Sequence, residues 1–417
     1  MVRMQASPYP MVAVDEAIAI VLAHTPVLET EEIPIEDAVG RVLAERIISA
    51  DDMPPFDTTS VDGYAIISGE GTAPRRVLSE VTAGQAGGQA VTPGTAIRIM
   101  TGAPLPPGAD AVVMVEQTSE VDGTLHLTEA PPAGANIYRR GQDIARDQEV
   151  LGPGTVLGPA EIGLLATVGR ARVQVYRRPV VAVLSTGDEL VEADEPLRPG
   201  QIRDSNRPAL LASVREAGAI PLSLGRVRDD AAEQEALIRQ GLQRADVVLT
   251  SGGVSVGSRD LIKPILARLG TIHFGRVAFK PGKPTTFATV GDKLVFGLPG
   301  FPVSSLVSFE VFVRPALRKM QGHTDLHRPV LPVRLDRPVV PSVDRPEYQR
   351  AVVYWSGEHL LAYPTGAQRS SRLLSLVGAN ALLRIPPGTM ELPAGTVVEA
   401  ILLGDIRTAA ADGAARQ

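Results

Sequence analysis

Lys280-Pro281-Gly282-Lys283-Pro284 sets two ammonium groups three residues apart on a backbone that its prolines restrict and its glycine lets turn. Lysines held this way can face one small site, and an anion is what they would attract. Two other stretches of small residues flank the loop. Val247, Val248 and Leu249 run into Thr250-Ser251-Gly252-Gly253, with Ser255 and Asp260 following. Leu294 to Leu298 run into Pro299-Gly300, with Pro302 and Ser304 following. Each apolar run reads as a buried strand that opens into a loop. Each loop precedes an amphipathic helix, marked by Leu261, Ile265 and Leu269 in one case and by Leu306, Phe309 and Val313 in the other. Open α/β sheets hold ligands at the carboxyl ends of their parallel strands, where helix amino termini offer unpaired N–H groups to anions.

Carboxylates stand at the neighbouring strand ends. Asp188 and Glu189 lie in STGDEL, Asp229 and Asp230 in RDD, and Asp260 in SVGSRD. Acids gathered near a basic pair could hold Mg²⁺ that bridges to phosphate. Pro264 is tolerated only near a helix start, so Asp260 fits a helix N-cap as well as it fits a ligand. Asp229 likewise fits the cap of a helix starting near Ala231, and Glu189 fits a solvated turn. Earlier in the chain, Asp62 follows a loop with two adjacent prolines, Thr101 begins Thr-Gly-Ala-Pro, and Asp143 stands beside a glycine turn. Threonine at a strand end caps turns as readily as it touches ligands. Arg350 reads as a strand-surface charge among apolar residues, near the polar, basic loop Gln368–Arg372.

The chain of 417 residues is long enough for two to four domains, and 44% hydrophobic residues fit a soluble globular protein. No apolar run reaches membrane-spanning length, and the first residues carry an acid pair in place of a signal-peptide core, so a cytoplasmic protein is expected. Without cysteine, chemistry falls to oxygen and nitrogen groups, and the six histidines lack metal-ligand spacing. A net charge of −6 with no long basic run, and only 4% aromatics, argue against nucleic-acid binding.

These residues need elements to position them. Helical spacing at Val14, Ile18, Val21 and Leu22, an apolar segment at Val39–Ile48 and helix-like text at 150–169 suggest a helical scaffold, residues 1–50 and 145–177. Short β-like runs make 51–144 an inserted β-rich unit. From 178 to 328, strand and helix patterns alternate as in a doubly wound α/β sheet, with helices at Pro208–Ala217 and Ala231–Arg244. Residues 329–405 read as a β-barrel-like domain and 406–417 as a short tail.

FDTTSVDGYA, RIMTGAPLPPGADAVV, RRGQDI, STGDEL, TSGGVSVGSRD, FKPGKPTTF and LPGFPVSS, in this order over almost the whole chain, together resemble the molybdopterin molybdenumtransferase family, MoeA and the carboxyl-terminal E region of gephyrin. The resemblance implies a central MogA-like α/β domain and insertion of molybdate into adenylylated molybdopterin, with Mg²⁺ assistance and release of AMP. It implies functional roles for Asp62, Thr101 and Asp143, for the carboxylates Glu189, Asp230 and Asp260 as catalytic and metal-holding groups, and for Arg276, Lys280 and Lys283 near the anion. Gly252, Gly253, Ser255, Pro299, Pro302 and Ser304 fall in its ligand-binding loops, and Arg350 with Ser370 resembles a molybdate-binding pair. It further implies an elongated homodimer whose cleft joins the α/β and carboxyl-terminal domains of one chain to the β unit of the other, and dealings with a Mog-type adenylyltransferase and with molybdoenzymes. The chain departs from the family at Phe301, usually Asn, at Thr58-Thr59, usually Asn-Ser, at Gln142 in place of an acid, and at Gln368-Arg369-Ser370 in place of a QGS loop. Two other activities share parts of this pattern: molybdopterin adenylylation, through the TSGG loop, and a non-catalytic gephyrin-like scaffold.

Overall fold

The computed structural model describes residues 9–84, 88–254 and 261–408. They form two compact units, one made of Glu32–Val39 and Leu43–Gln174, the other of Met1–Glu31, Gly40–Val42 and Val175–Gln417.

The first unit is built on a six-stranded sheet in the order Ala111–Met114, Gly63–Ile66, Thr95–Ile99, Arg75–Val81, Thr124–Leu127, Thr118–Val121. One face packs Ala65, Ile97, Ile99 and Val112, and the other packs Tyr64, Ile66, Ala96 and Val113. The period-2 alternation of these strands therefore serves two small cores. The sheet curls as a half-barrel. Beyond it, Ile47–Ile48 pairs antiparallel with Glu149–Leu151, and one helix runs from Pro159 to Thr167. The apolar stretch Val39–Ile48, expected to be helical, holds no helix: Ile47 is buried while Ile48 is exposed, the alternation of a strand.

The second unit holds the α/β sheet, ordered Ile220–Val227, Val180–Thr186, Val247–Ser251, Lys293–Leu298, Thr286–Val290, Thr271–Phe274. The first four strands pair parallel, and the last two pairings are antiparallel, so that Thr286–Val290 alone of these six runs against the others. Val181, Val183, Val247, Leu249 and Phe296 face one core, shared with helix Asn206–Glu216 and the helical run from Pro302 to Met320. Ala182, Leu184, Val248 and Val295 face the other, closed by helices Ala231–Arg244 and Ile262–Leu269. Near-continuous apolar strands are what a sheet covered on both faces requires. Helix Val14–Ala23 adds Val14, Ala17 and Val21 to the first of these cores.

The carboxyl-terminal β portion closes on itself. His359–Pro364 pairs with both Val330–Leu335 and Glu347–Ser356, completing a five-strand barrel with Val397–Leu402 and Ala381–Ile385. Closure removes the exposed sheet edges. Arg407–Thr408 then pairs parallel with Tyr354–Trp355.

Gly63 is fixed by close approach. A Cβ there would lie 1.9 Å from the Val113 carbonyl oxygen of the neighbouring strand. Gly63→Ala is expected to lower the unfolding free energy by about 2–3 kcal/mol, read from a chemical denaturation curve.

Candidate active site

Strands Val180–Thr186, Val247–Ser251 and Lys293–Leu298 end level with one another, Ser185 opposite Ser251 and Ser251 opposite Leu298. Their loops enclose a cavity of about 290 Å³. Only a residue without a side chain fits its floor: at Gly252, where φ is 97°, a Cβ would stand 2.6 Å from the Thr186 carbonyl oxygen. Gly253 and Gly300 complete that floor, and a Cβ on Gly300 would meet the Gly252 Cα at 3.6 Å. Asn206 ties the loops together, its Nδ2 donating to Ser251 Oγ and to the Gly300 carbonyl, each at 2.7 Å. A carbonyl can only accept, so the amide nitrogen must face Gly300. Asn206 escaped the sequence reading because nothing in RDSNRP sets it apart from an ordinary helix start.

Among the described residues two carboxylates line this cavity, Glu189 and Asp229. Glu189 folds back over Gly187, where a Cβ would lie 2.6 Å from its Oε2. Asp229 donates its backbone N–H to Asp188 Oδ1 at 3.1 Å. Asp230, singled out as a metal ligand from the sequence, does not line the cavity. It is the N-cap of helix Ala231–Arg244, its Oδ1 accepting from the N–H groups of Ala232 and Glu233 at 2.9 Å each. The sequence had offered that capping role to Asp229, one residue early. Asp260 and Ser255 lie outside the described residues. Among the described residues no three acids or histidines converge as a metal cluster.

The lysine loop runs from the cavity to the barrel. Pro284 lines the cavity, directly after Lys283. Lys280 is stitched to the barrel strand by its N–H to the Pro346 carbonyl at 2.9 Å and by its carbonyl to the Tyr348 N–H at 2.7 Å. Its ammonium lies 3.1 Å from Glu347 Oε1, a carboxylate only 3% exposed. Val277 donates to the Lys283 carbonyl at 2.9 Å, which brings Arg276 alongside Lys283. Among the described residues neither of these two has an ion pair.

Arg350, three residues beyond Glu347, is fully buried rather than at the strand surface. Its Nε donates to Ser375 Oγ at 3.0 Å and one Nη to the Arg369 carbonyl at 3.3 Å, while Nη1 has no hydrogen-bond partner among the described residues. Burial pushes its pKa down to about 10, which the Glu347 carboxylate opposes. Ser370, expected beside it, joins the site through its backbone: its carbonyl accepts from the Val303 N–H at 3.1 Å, at the start of the helix that carries Pro302 and the buried Ser304. Ser375, which touches the guanidinium, was not among the expected residues, since one serine in a polar loop looks like another. Pro299 is buried, whereas Phe301 is 61% exposed.

In the first unit, Asp62 Oδ1 accepts from the N–H of Thr101 at 2.7 Å and from its hydroxyl at 2.8 Å. The amide first and then the hydroxyl hold this carboxyl below the usual carboxylate range. Asp57 accepts from Arg139 Nη1 at 2.6 Å and from the Arg140 N–H at 2.9 Å, which ties down the turn that carries Asp143. Asp143 itself is exposed and donates its N–H to the Met53 carbonyl at 2.9 Å.

Three family models cover the chain: the MoeA N-terminal region (domain I and II) at residues 12–169, a probable molybdopterin binding domain at 182–319, and the MoeA C-terminal region (domain IV) at 332–403. The chain belongs to the MoeA family. The molybdopterin molybdenumtransferase of Bacillus subtilis is 36% identical over 94% of this chain and 94% of its own. Gephyrin of Dictyostelium discoideum is 37% identical over 96% of this chain, which spans 64% of gephyrin's length. The crystal structure of a molybdopterin biosynthesis MoeA protein from Pyrococcus horikoshii superposes with a TM-score of 0.81 at 33% identity, covering 95% of this chain and all of that one. Among the described residues of this MoeA chain, no helix is long and apolar enough to cross a membrane.

A buried guanidinium lacking a paired anion destabilises the fold that holds it. Arg350→Met is expected to leave the thermal midpoint unchanged or raised, and to narrow the sulfate-over-chloride difference in midpoint toward the increment that exclusion of sulfate from the protein surface gives. Thermal denaturation in the two salts checks both outcomes.

Proposed function

We propose that this protein is a molybdopterin molybdenumtransferase, which inserts molybdate into adenylylated molybdopterin, releases AMP and yields molybdenum cofactor. The observation that carries the reading is the fully buried Arg350 with an unpartnered Nη1, next to a two-lysine loop that leads into a strand-end cavity. The family membership and the name of the Bacillus subtilis relative support it. We assign the reaction to a cytoplasmic homodimer, with Asp62, Thr101 and Asp143 taking part.

In this reading Lys280, Lys283, Arg350 and the Ser370 loop orient molybdate through charge-assisted hydrogen bonds, and Arg276 adds to the local positive potential. Gly252 and Gly253 keep the cavity floor bare, so that the nucleotide end of the substrate can come close to the backbone. Glu189 and Asp229 would hold Mg²⁺ against the pyrophosphate oxygens, in keeping with the ion's habit of taking one or two carboxylates plus substrate phosphates. When bound, Mg²⁺ supplies neutralisation of phosphate charge. Transfer of the oxyanion precedes or accompanies cleavage of the P–O bond.

The test is to incubate purified protein with adenylylated molybdopterin, Mg²⁺ and molybdate. AMP release that depends on molybdate, together with activation of an apo-molybdoenzyme, is the expected outcome. Consumption of ATP in the presence of molybdopterin alone would instead mark an adenylyltransferase, and cofactor formation without any contribution from this protein would mark a scaffold.

Asp229 and Asp230 separate cleanly in the same assay. Asp229→Asn is expected to raise the Mg²⁺ concentration needed for half-maximal AMP release by about tenfold or more. Asp230→Asn keeps a competent cap and is expected to leave that requirement within about twofold.

A further inference from the structure

Glu347 is a carboxylate buried where burial is expensive, and nothing in the joint between lysine loop and barrel needs its charge. The two backbone hydrogen bonds of Lys280, to Pro346 and from Tyr348, already stitch the segments together. Phe279 adds an edge-on contact with Tyr348, ring centroids 5.7 Å apart. A buried acid beside cations that serve only as glue would be replaceable by an apolar side chain with no loss of stability. Its placement follows a different logic. It lies 3.1 Å from the ammonium of Lys280, whose side chain remains 39% exposed, so that further N–H bonds of that ammonium face outward. Its charge also acts on the Arg350 guanidinium.

We propose that Glu347 is a positioning residue that sets how tightly the site holds an oxyanion, by fixing the Lys280 ammonium and cancelling one of its positive charges. The proposal rests on reading the Lys280–Arg350 seam as the oxyanion site. Lys280, Lys283, Arg350 and the neighbouring Arg276 are cations and Glu347 is the carboxylate set among them, so its loss raises the positive charge offered to a dianion such as molybdate or sulfate by one. Without Glu347 the excess cation deepens the bound state. An anion that must be passed to another set of ligands leaves this one during transfer, so extra attraction realised only before transfer deepens the ground state and raises the barrier to the step. The carboxylate keeps the oxyanion exchangeable while holding Lys280 in the geometry that meets it.

Titration calorimetry of sulfate and of molybdate at fixed ionic strength tests this on the full chain. Glu347→Gln removes the charge and keeps an acceptor for Lys280, and the dissociation constants of both anions are expected to fall by about tenfold. Glu347→Met supplies the same charge change with a side chain suited to burial, and the same gain is expected should the glutamine variant fail to fold. Glu347→Asp keeps the charge and is expected to stay within about twofold of wild type. In turnover, Glu347→Gln is expected to lower KM for molybdate and kcat together, a split that a merely structural residue would not produce. Unchanged or weakened anion binding in the folded Gln or Met variant overturns the proposal. Wild-type protein that binds sulfate but refuses molybdate overturns the molybdenumtransferase reading instead, and the sulfate arm still decides the role of Glu347.

Discussion

A guanidinium taken fully out of water must find compensation nearby, and Arg350 finds only part of it. A serine hydroxyl and a backbone carbonyl accept from two of its nitrogens, while the third has no hydrogen-bond partner among the described residues. The strand Glu347–Ser356 pairs with one neighbour through Glu347–Ala351 and with another through Ala351–Ser356, and the segment Thr365–Ser375 folds back to supply the groups that contact Arg350. Eight consecutive residues from Glu347 to Tyr354 are buried. The lysine loop is hydrogen-bonded to Pro346 and Tyr348, so a charged loop and a buried guanidinium share one stretch of backbone.

The α/β sheet supplies the other half of the geometry. Parallel register brings three strand ends level, and the bare floor made by Gly252, Gly253 and Gly300 turns that coincidence into a cavity. Asn206 then locks two of the loops against each other from the first turn of its helix. The same helix buries Leu210 and Val214 in the core under the sheet, so the packing of the fold and the shape of the cavity are not separable.

What could be read from the chain itself follows from how local the governing physics is. The doubly wound sheet was legible because its strands are apolar on both faces and its helices are marked by four-residue spacing. The lysine loop was legible because proline and glycine act on the residues they occupy. Helix starts are less local: capping assigns Asp230 and Asp229 to different tasks, and a shift of one residue, within the ordinary uncertainty of a helix boundary, exchanges them. The burial of Arg350 comes with a segment 15 to 25 residues on that folds back over it, so from its apolar neighbours the arginine looked like the outer face of a strand. Ser375 reaches it only through a turn 25 residues on. Val39–Ile48 mimicked a helix because a few apolar residues in a short window fit either period.

The distribution of charge follows the loops. Carboxylates Glu189 and Asp229 line the cavity, and cations Lys280, Lys283 and Arg350 occupy the seam toward the barrel. One continuous loop carries both environments, since Lys283 is followed at once by Pro284 in the cavity wall. The Gly300 loop does the same from the other side, accepting from Asn206 in the cavity and passing within three residues to the Val303 N–H that meets the Ser370 carbonyl. The two loops join the cavity that holds the acids to the seam that holds the bases, and among the described residues Glu347 is the carboxylate that pairs with Lys280. Cations at the seam and carboxylates at the cavity give the two ends of these loops local potentials of opposite sign.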